Sequence, residues 1–182
     1  MLSTRTGILI ALLPNNTIQL AARPVIIFLL IAVSLASNCQ VPDPKMVQIV
    51  LKKNNRHATF KFLYPKDSTL VYLHYLGDLY TKKGRKYKVM TSIYLWGLEL
   101  HRATNRVLIF NSKNQYVGQY DNFSTDELPG EIRGDNLIFR NAKGSNCDPI
   151  LVTVVSFYRG IPKMFFRRCK GQYGDLYYFG EN

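Results

Sequence analysis

The sequence predicts an all-β protein, an antiparallel meander forming a small sandwich or partly open barrel, preceded by an N-terminal signal or anchor helix. Three observations carry this. After residue 45 the chain is filled by about eight or nine short apolar runs, most with period-two alternation. No long amphipathic helix pattern stands out among them. Turn signals at Asn54, Gly84 and Lys113 recur about every 30 residues, the spacing that consecutive hairpins produce.

The N-terminal stretch decides the compartment. Residues 25–37 carry no charge, follow Arg23, and run through Ile26, Ile27, Phe28, Leu29, Leu30 and Ile31 into the small residues Ser34, Ala36 and Ser37. A basic flank, a short apolar core and a small-residue exit describe a secretory signal peptide. The run falls short of the about 20 apolar residues of a spanning helix. An uncleaved anchor is the competing reading. Ser34 and Ala36 suit a cut that frees a chain beginning at Ser37. Residues 35–39, LASNC, also resemble the lipobox of bacterial lipoproteins, with Asn38 standing where Gly, Ala or Ser is usual. That five-residue resemblance implies a lipid on Cys39. The expected organisation is a signal peptide or anchor over 1–38, a short linker over 39–45 and one β-rich domain over 46–182. The expected location is exported: periplasmic, envelope-associated or secreted, with membrane contact through the anchor or through a lipid on Cys39.

The chain has three cysteines, and with Cys39 lipidated the remaining two, Cys147 and Cys169, are the expected disulfide of an oxidising compartment. The competing reading leaves them as free small hydrophobes. Removing residues 1–38 takes away two of the 24 basic residues, Arg5 and Arg23, and none of the 12 acidic ones, so the remainder stands at +10. A field of that sign favours anionic partners.

In order along the domain, residues 46–52 place Val47, Ile49 and Leu51 on one face of a strand, and residues 58–64 do the same for Phe60, Phe62 and Tyr64. Asn54 and Asn55 between them suit a hairpin. Residues 66–81 are ambiguous: Leu70, Leu73 and Leu76 fit a helical stripe, while Gly77 and the aromatic and β-branched content favour a strand. KKGR at 82–85 is a turn, followed by a strand with Tyr87, Val89, Thr91, Ile93 and Leu95 on an apolar face and Lys86, Lys88, Met90, Ser92 and Tyr94 on a polar one. Residues 106–110 and 115–120 form another hairpin, and 121–134 read as an acidic loop. A short strand at 136–140 follows. Residues 149–158, PILVTVVSFY, are apolar on both faces and so expected to be central. Strands at 162–169 and 176–179 close the domain.

No HExxH, paired CxxC, GxSxG or phosphate-binding glycine loop occurs, and no cofactor is expected. Glu99 and His101, two apart, would share one side of a strand and suit a small hydrolase, the alternative reading. The leading expectation is a non-enzymatic binding module for an anionic glycan, lipid headgroup or envelope protein, with nucleic acid disfavoured by export. A structural subunit of an envelope assembly is a third reading. Two mixed clusters of cations and aromatics suggest the contacts. One is Lys82, Lys83, Arg85, Lys86 and Lys88, interleaved with Tyr80 and Tyr87; the other is Lys163, Arg167, Arg168 and Lys170, mixed with Phe165, Phe166 and Tyr173; Lys83, Arg85, Lys86, Lys88, Arg167 and Arg168 are the expected contacts.

Overall fold

The computed structural model describes residues 43–64, 69–97 and 102–181. The signal or anchor segment, Cys39, Glu99 and His101 lie outside the described residues. Among the described residues one α-helix, α1 (Pro44–Lys53), opens the domain, and ten strands follow: β1 (Thr59–Tyr64), β2 (Thr69–Tyr80), β3 (Lys86–Trp96), β4 (Arg102–Asn111), β5 (Tyr116–Phe123), β6 (Glu131–Arg133), β7 (Asn136–Arg140), β8 (Val152–Ser156), β9 (Met164–Lys170) and β10 (Tyr173–Glu181). They form a seven-stranded sheet in the order β1-β2-β3-β4-β5-β10-β9 and a three-stranded sheet in the order β6-β7-β8, and every pairing is antiparallel. The meander expected from the turn spacing is the run β1 to β5. It stays open, with β1 and β9 as its edges.

Residues 46–52 are helical, which corrects the strand reading. Asp43 accepts a hydrogen bond from the Lys45 amide as N-cap, Pro44 occupies the first turn, and Asn54 ends the helix in the left-handed region at φ 49°. Pro there loses no intrahelical bond, and Asn tolerates positive φ. Val47, Val50 and Leu51 are buried while Ile49 is exposed. These spacings of three and one belong to a helix, not to alternation.

The helix lies on one face of the large sheet and the three-stranded sheet on the other. Val71, Leu73, Tyr75, Met90, Leu108 and Phe110 pack under α1, and Leu76, Leu79, Val89, Val107, Ile109 and Tyr120 pack against Leu137, Phe139, Val155 and Phe157 of the small sheet side. Strands β2 to β4 are therefore buried on both faces. The expected polar face of β3 is corrected accordingly: Met90 and Ser92 are fully buried beneath the helix side.

A bulge in β2 explains its mixed sequence signal. Tyr75 pairs with Met90 and Gly77 with Val89, so Leu76 is the extra residue and the alternation reverses across it. Leu73 faces the helix, whereas Leu76 and Leu79 both face the small sheet. Gly77 takes φ 135°, and a Cβ there would come within 3.0 Å of the Arg56 guanidinium.

Residues 149–158 do not form a central strand. Only 152–156 are extended; among the described residues β8 pairs with β7 alone, and Val152 and Val154 face outward. Burial on one face through Val155 is all that this edge position allows. Cys147 and Cys169 are disulfide-bonded, with sulfurs 2.07 Å apart, and the Asp148 amide donates to the Cys169 carbonyl at 2.7 Å. The Asn141 side-chain amide adds bonds to the carbonyls of Asp148, Arg168 and Cys169.

Candidate functional site

The antiparallel registers decide which turns share an end of the domain. Tyr80 pairs with Lys86 across the β2–β3 turn, Tyr87 pairs with Asn111, and Phe110 pairs with Tyr116 across the β4–β5 turn. These two turns therefore lie at the same end. The β8–β9 connection joins them, because the Lys82 amide donates to the Tyr158 carbonyl at 2.7 Å and the Lys82 ammonium stands 5.8 Å from the Tyr158 ring centre. The three connections carry Lys82, Lys83, Arg85, Lys113, Arg159 and Lys163, all exposed. Among the described residues none of the six makes an ion pair. Asp135 is the acid beside them, and its carboxylate accepts from Ser156 Oγ and from the Asn136 amide.

Neighbouring strands are about 5 Å apart, so adjacent turns are separated by about 10 Å. That is about one Debye length at physiological salt, close enough for the charges to act on one anion together. Tyr80 and Tyr158, both half-exposed, supply rings between the cations. The turns form for local reasons. Gly84 takes φ 72° in the first, where the Arg85 amide also bonds Thr81 Oγ1, and Asn114 takes φ 61° in the second, where Asn111 Oδ1 accepts from the Lys113 and Gln115 amides.

The residues expected from the sequence separate. Lys83 and Arg85 stand at the basic end. Lys86 is engaged instead with Asp78 at 2.8 Å, and Lys88 is half-buried on the same strand. Arg167 is not a surface contact at all: it is 1% exposed and ion-paired to Glu127 at 2.9 Å, with the Tyr177 hydroxyl donating to the other carboxylate oxygen at 3.1 Å. Odd positions of β9 face the core, where Phe165 lies, so Arg167 must enter with a partner. Arg168 is exposed but sits toward the far end of β9, where its guanidinium donates to the Gly171 carbonyl. Lys113 and Arg159 complete the basic end and were not singled out by sequence reasoning. For Lys113 the signal was available, since alternate turns of a meander share one end. For Arg159 it was not, because its position depends on how β8 follows the small sheet.

Asp78 anchors the base of this end. Partial burial alone would raise its carboxyl, but hydrogen bonds from Lys86 and Tyr75 outweigh that and hold it below the ordinary carboxylate range. The same bond from Lys86 to Asp78 raises the Lys86 ammonium. Burial, reinforced by the bond to Asp78, pushes the Tyr75 phenol well above its usual range.

A second feature is a cleft of about 380 Å³ on the outer face of the small sheet, lined by Leu128, Gly130, Glu131, Arg133, Ile138 and Arg140. Both arginines pair with Glu131 at 2.9 Å, and the Arg140 guanidinium first, then Arg133, hold that carboxyl below its usual range. The protein's own carboxylate thus fills the anion position between them.

Comparison with protein-family models, with curated proteins and with solved structures finds no match for this chain. The basic end therefore has to be interpreted from its own chemistry.

Proposed function

We propose that this protein is an exported, non-enzymatic binding module that holds an anionic polymer, such as an acidic glycan, at its basic end. The observation that carries the proposal is the convergence of Lys82, Lys83, Arg85, Lys113 and Arg159 from three separate connections, exposed and without ion pairs among the described residues. Cations left unpaired on a domain of net positive charge attract polyanions over several ångströms, and rings beside them stack on sugar faces. The Cys147–Cys169 disulfide accords with an oxidising compartment.

The test is binding to dextran sulfate. Reversing Lys82, Lys83 and Arg85 to Glu removes three contacts at about 0.5–1 kcal/mol each, so affinity is expected to fall at least about tenfold. Reversing Arg168 and Lys170, on the far part of β9, is expected to change it little. Equal losses from both variants, or none from the first, would reject the basic end as the site.

A further inference from the structure

The large sheet is wider than the helix that covers it. Ten residues of α1 span about 15 Å, or about three strand spacings, whereas seven strands span nearly twice that. The helix packs over β2, β3 and β4, with Phe60 and Phe62 of β1 and Tyr116 of β5 at its margins. Strands β10 and β9 continue that same face with no cover from the described residues: Gly180 pairs with Gln119, which pairs with the helix-facing Leu108. On this uncovered face Phe166 lies opposite Leu176, and Met164 opposite Tyr178. Their exposures are 42% and 49%, and 49% and 63%. Apolar side chains left exposed side by side on one strand face mark a contact.

We propose that the β9–β10 face is a membrane-docking surface whose occupant is an anionic lipid bilayer. Met164, Phe166, Leu176 and Tyr178 enter the headgroup boundary, while Arg168 and Lys170, at alternate positions of the same strand face, and Lys163 at its start meet lipid phosphates. The charge is complementary: the face of β9 and β10 carries cations and no carboxylate, since Asp175 is registered opposite the core-facing Arg167. Asp121 on neighbouring β5 is already bonded to Arg106 and Gln119. The chain outside the described residues supplies a second argument. The uncharged run 25–37 ends five residues before Asp43, so a tether of about 20 Å at most separates them. Pro44 in turn lines one cleft with Gln115 and Tyr116, at the start of β5, the strand next to β10. A run or a Cys39 lipid held in a bilayer would therefore keep the start of the domain within about 20 Å of a lipid surface. The proposal is independent of polyanion binding at the basic end.

The test uses the full chain reconstituted in vesicles of brominated phosphatidylcholine and phosphatidylglycerol. In a Trp96→Phe background, Phe166→Trp and Leu176→Trp report the proposed face, and Leu63→Trp, on the other side of β1 from Phe60 and Phe62, reports the opposite one. Bromine is expected to quench both face reporters at least twofold more than the Leu63 reporter, with the difference shrinking when Arg168 and Lys170 are reversed to Glu. Equal quenching at all three positions would overturn the proposal. So would a dimer in lipid-free detergent that Leu176→Asp dissolves, because it would give the face to a second copy. Binding of dextran sulfate by the same protein distinguishes this failure from failure of the basic end.

Discussion

Around Asp78, four side chains from three segments settle one another. The Lys86 ammonium lies 2.8 Å from its carboxylate, the Tyr75 hydroxyl donates to it, and Arg56 approaches to 4.0 Å across Gly77. Because the folded carboxyl titrates below its ordinary value of 3.8, its contribution to stability is present above that value. It is lost as pH falls through the lower folded-state value. Asp78→Asn is expected to lower stability at neutral pH and to flatten the acid arm of the stability curve, as read by urea unfolding from pH 6 downward. An unchanged slope would mean that Asp78 gains nothing from folding. Little of this residue-scale detail was legible beforehand. Arg167 and Arg168 are neighbours in a strand, and alternation sends one inward, but which one depends on Glu127, forty positions earlier, and on Tyr177.

The element that sequence reasoning misassigned, α1, carried its own correction. Val47, Ile49 and Leu51 alternate, yet Asp43, Pro44 and Asn54 stand at the N-cap, first-turn and C-cap positions of a ten-residue helix. The two readings differ in one measurable place. A strand would bury Ile49 with Leu51, whereas the helix buries Leu51 and leaves Ile49 exposed. Leu51→Ala is expected to cost about 2–5 kcal/mol, and Ile49→Ala less than about 0.5 kcal/mol, both by chemical denaturation. Comparable costs would favour the strand. Of the other strands, β1 and β9 were readable from period-two alternation that burial follows, and β3, β4, β5, β7 and β10 from apolar runs bounded by turn residues. Residues 149–158 misled because apolar residues on both faces look the same whether a second layer covers them or an edge leaves them open. In β2 the bulge at Leu76 turned a strand into a pattern with helical spacing.

At the scale of the whole molecule, the sheet collects cations that are far apart in sequence. Thirty-one positions separate Lys82 from Lys113 and forty-six separate Lys113 from Arg159, yet the registers, with the Lys82–Tyr158 hydrogen bond, bring their turns to one end. The all-β class and the meander were legible from spacing. The grouping of charges was legible only in part, because two of its three turns follow from meander parity while the third depends on the small sheet packing beside β9. The direct test is lysine-reactivity footprinting of the full protein by acetylation and mass spectrometry, with and without dextran sulfate. Lys82, Lys83 and Lys113 are expected to be protected several-fold, while the exposed Lys61, Lys143 and Lys170 stay reactive. Protection spread evenly over all six, or absent from the first three, would contradict a binding site at the basic end.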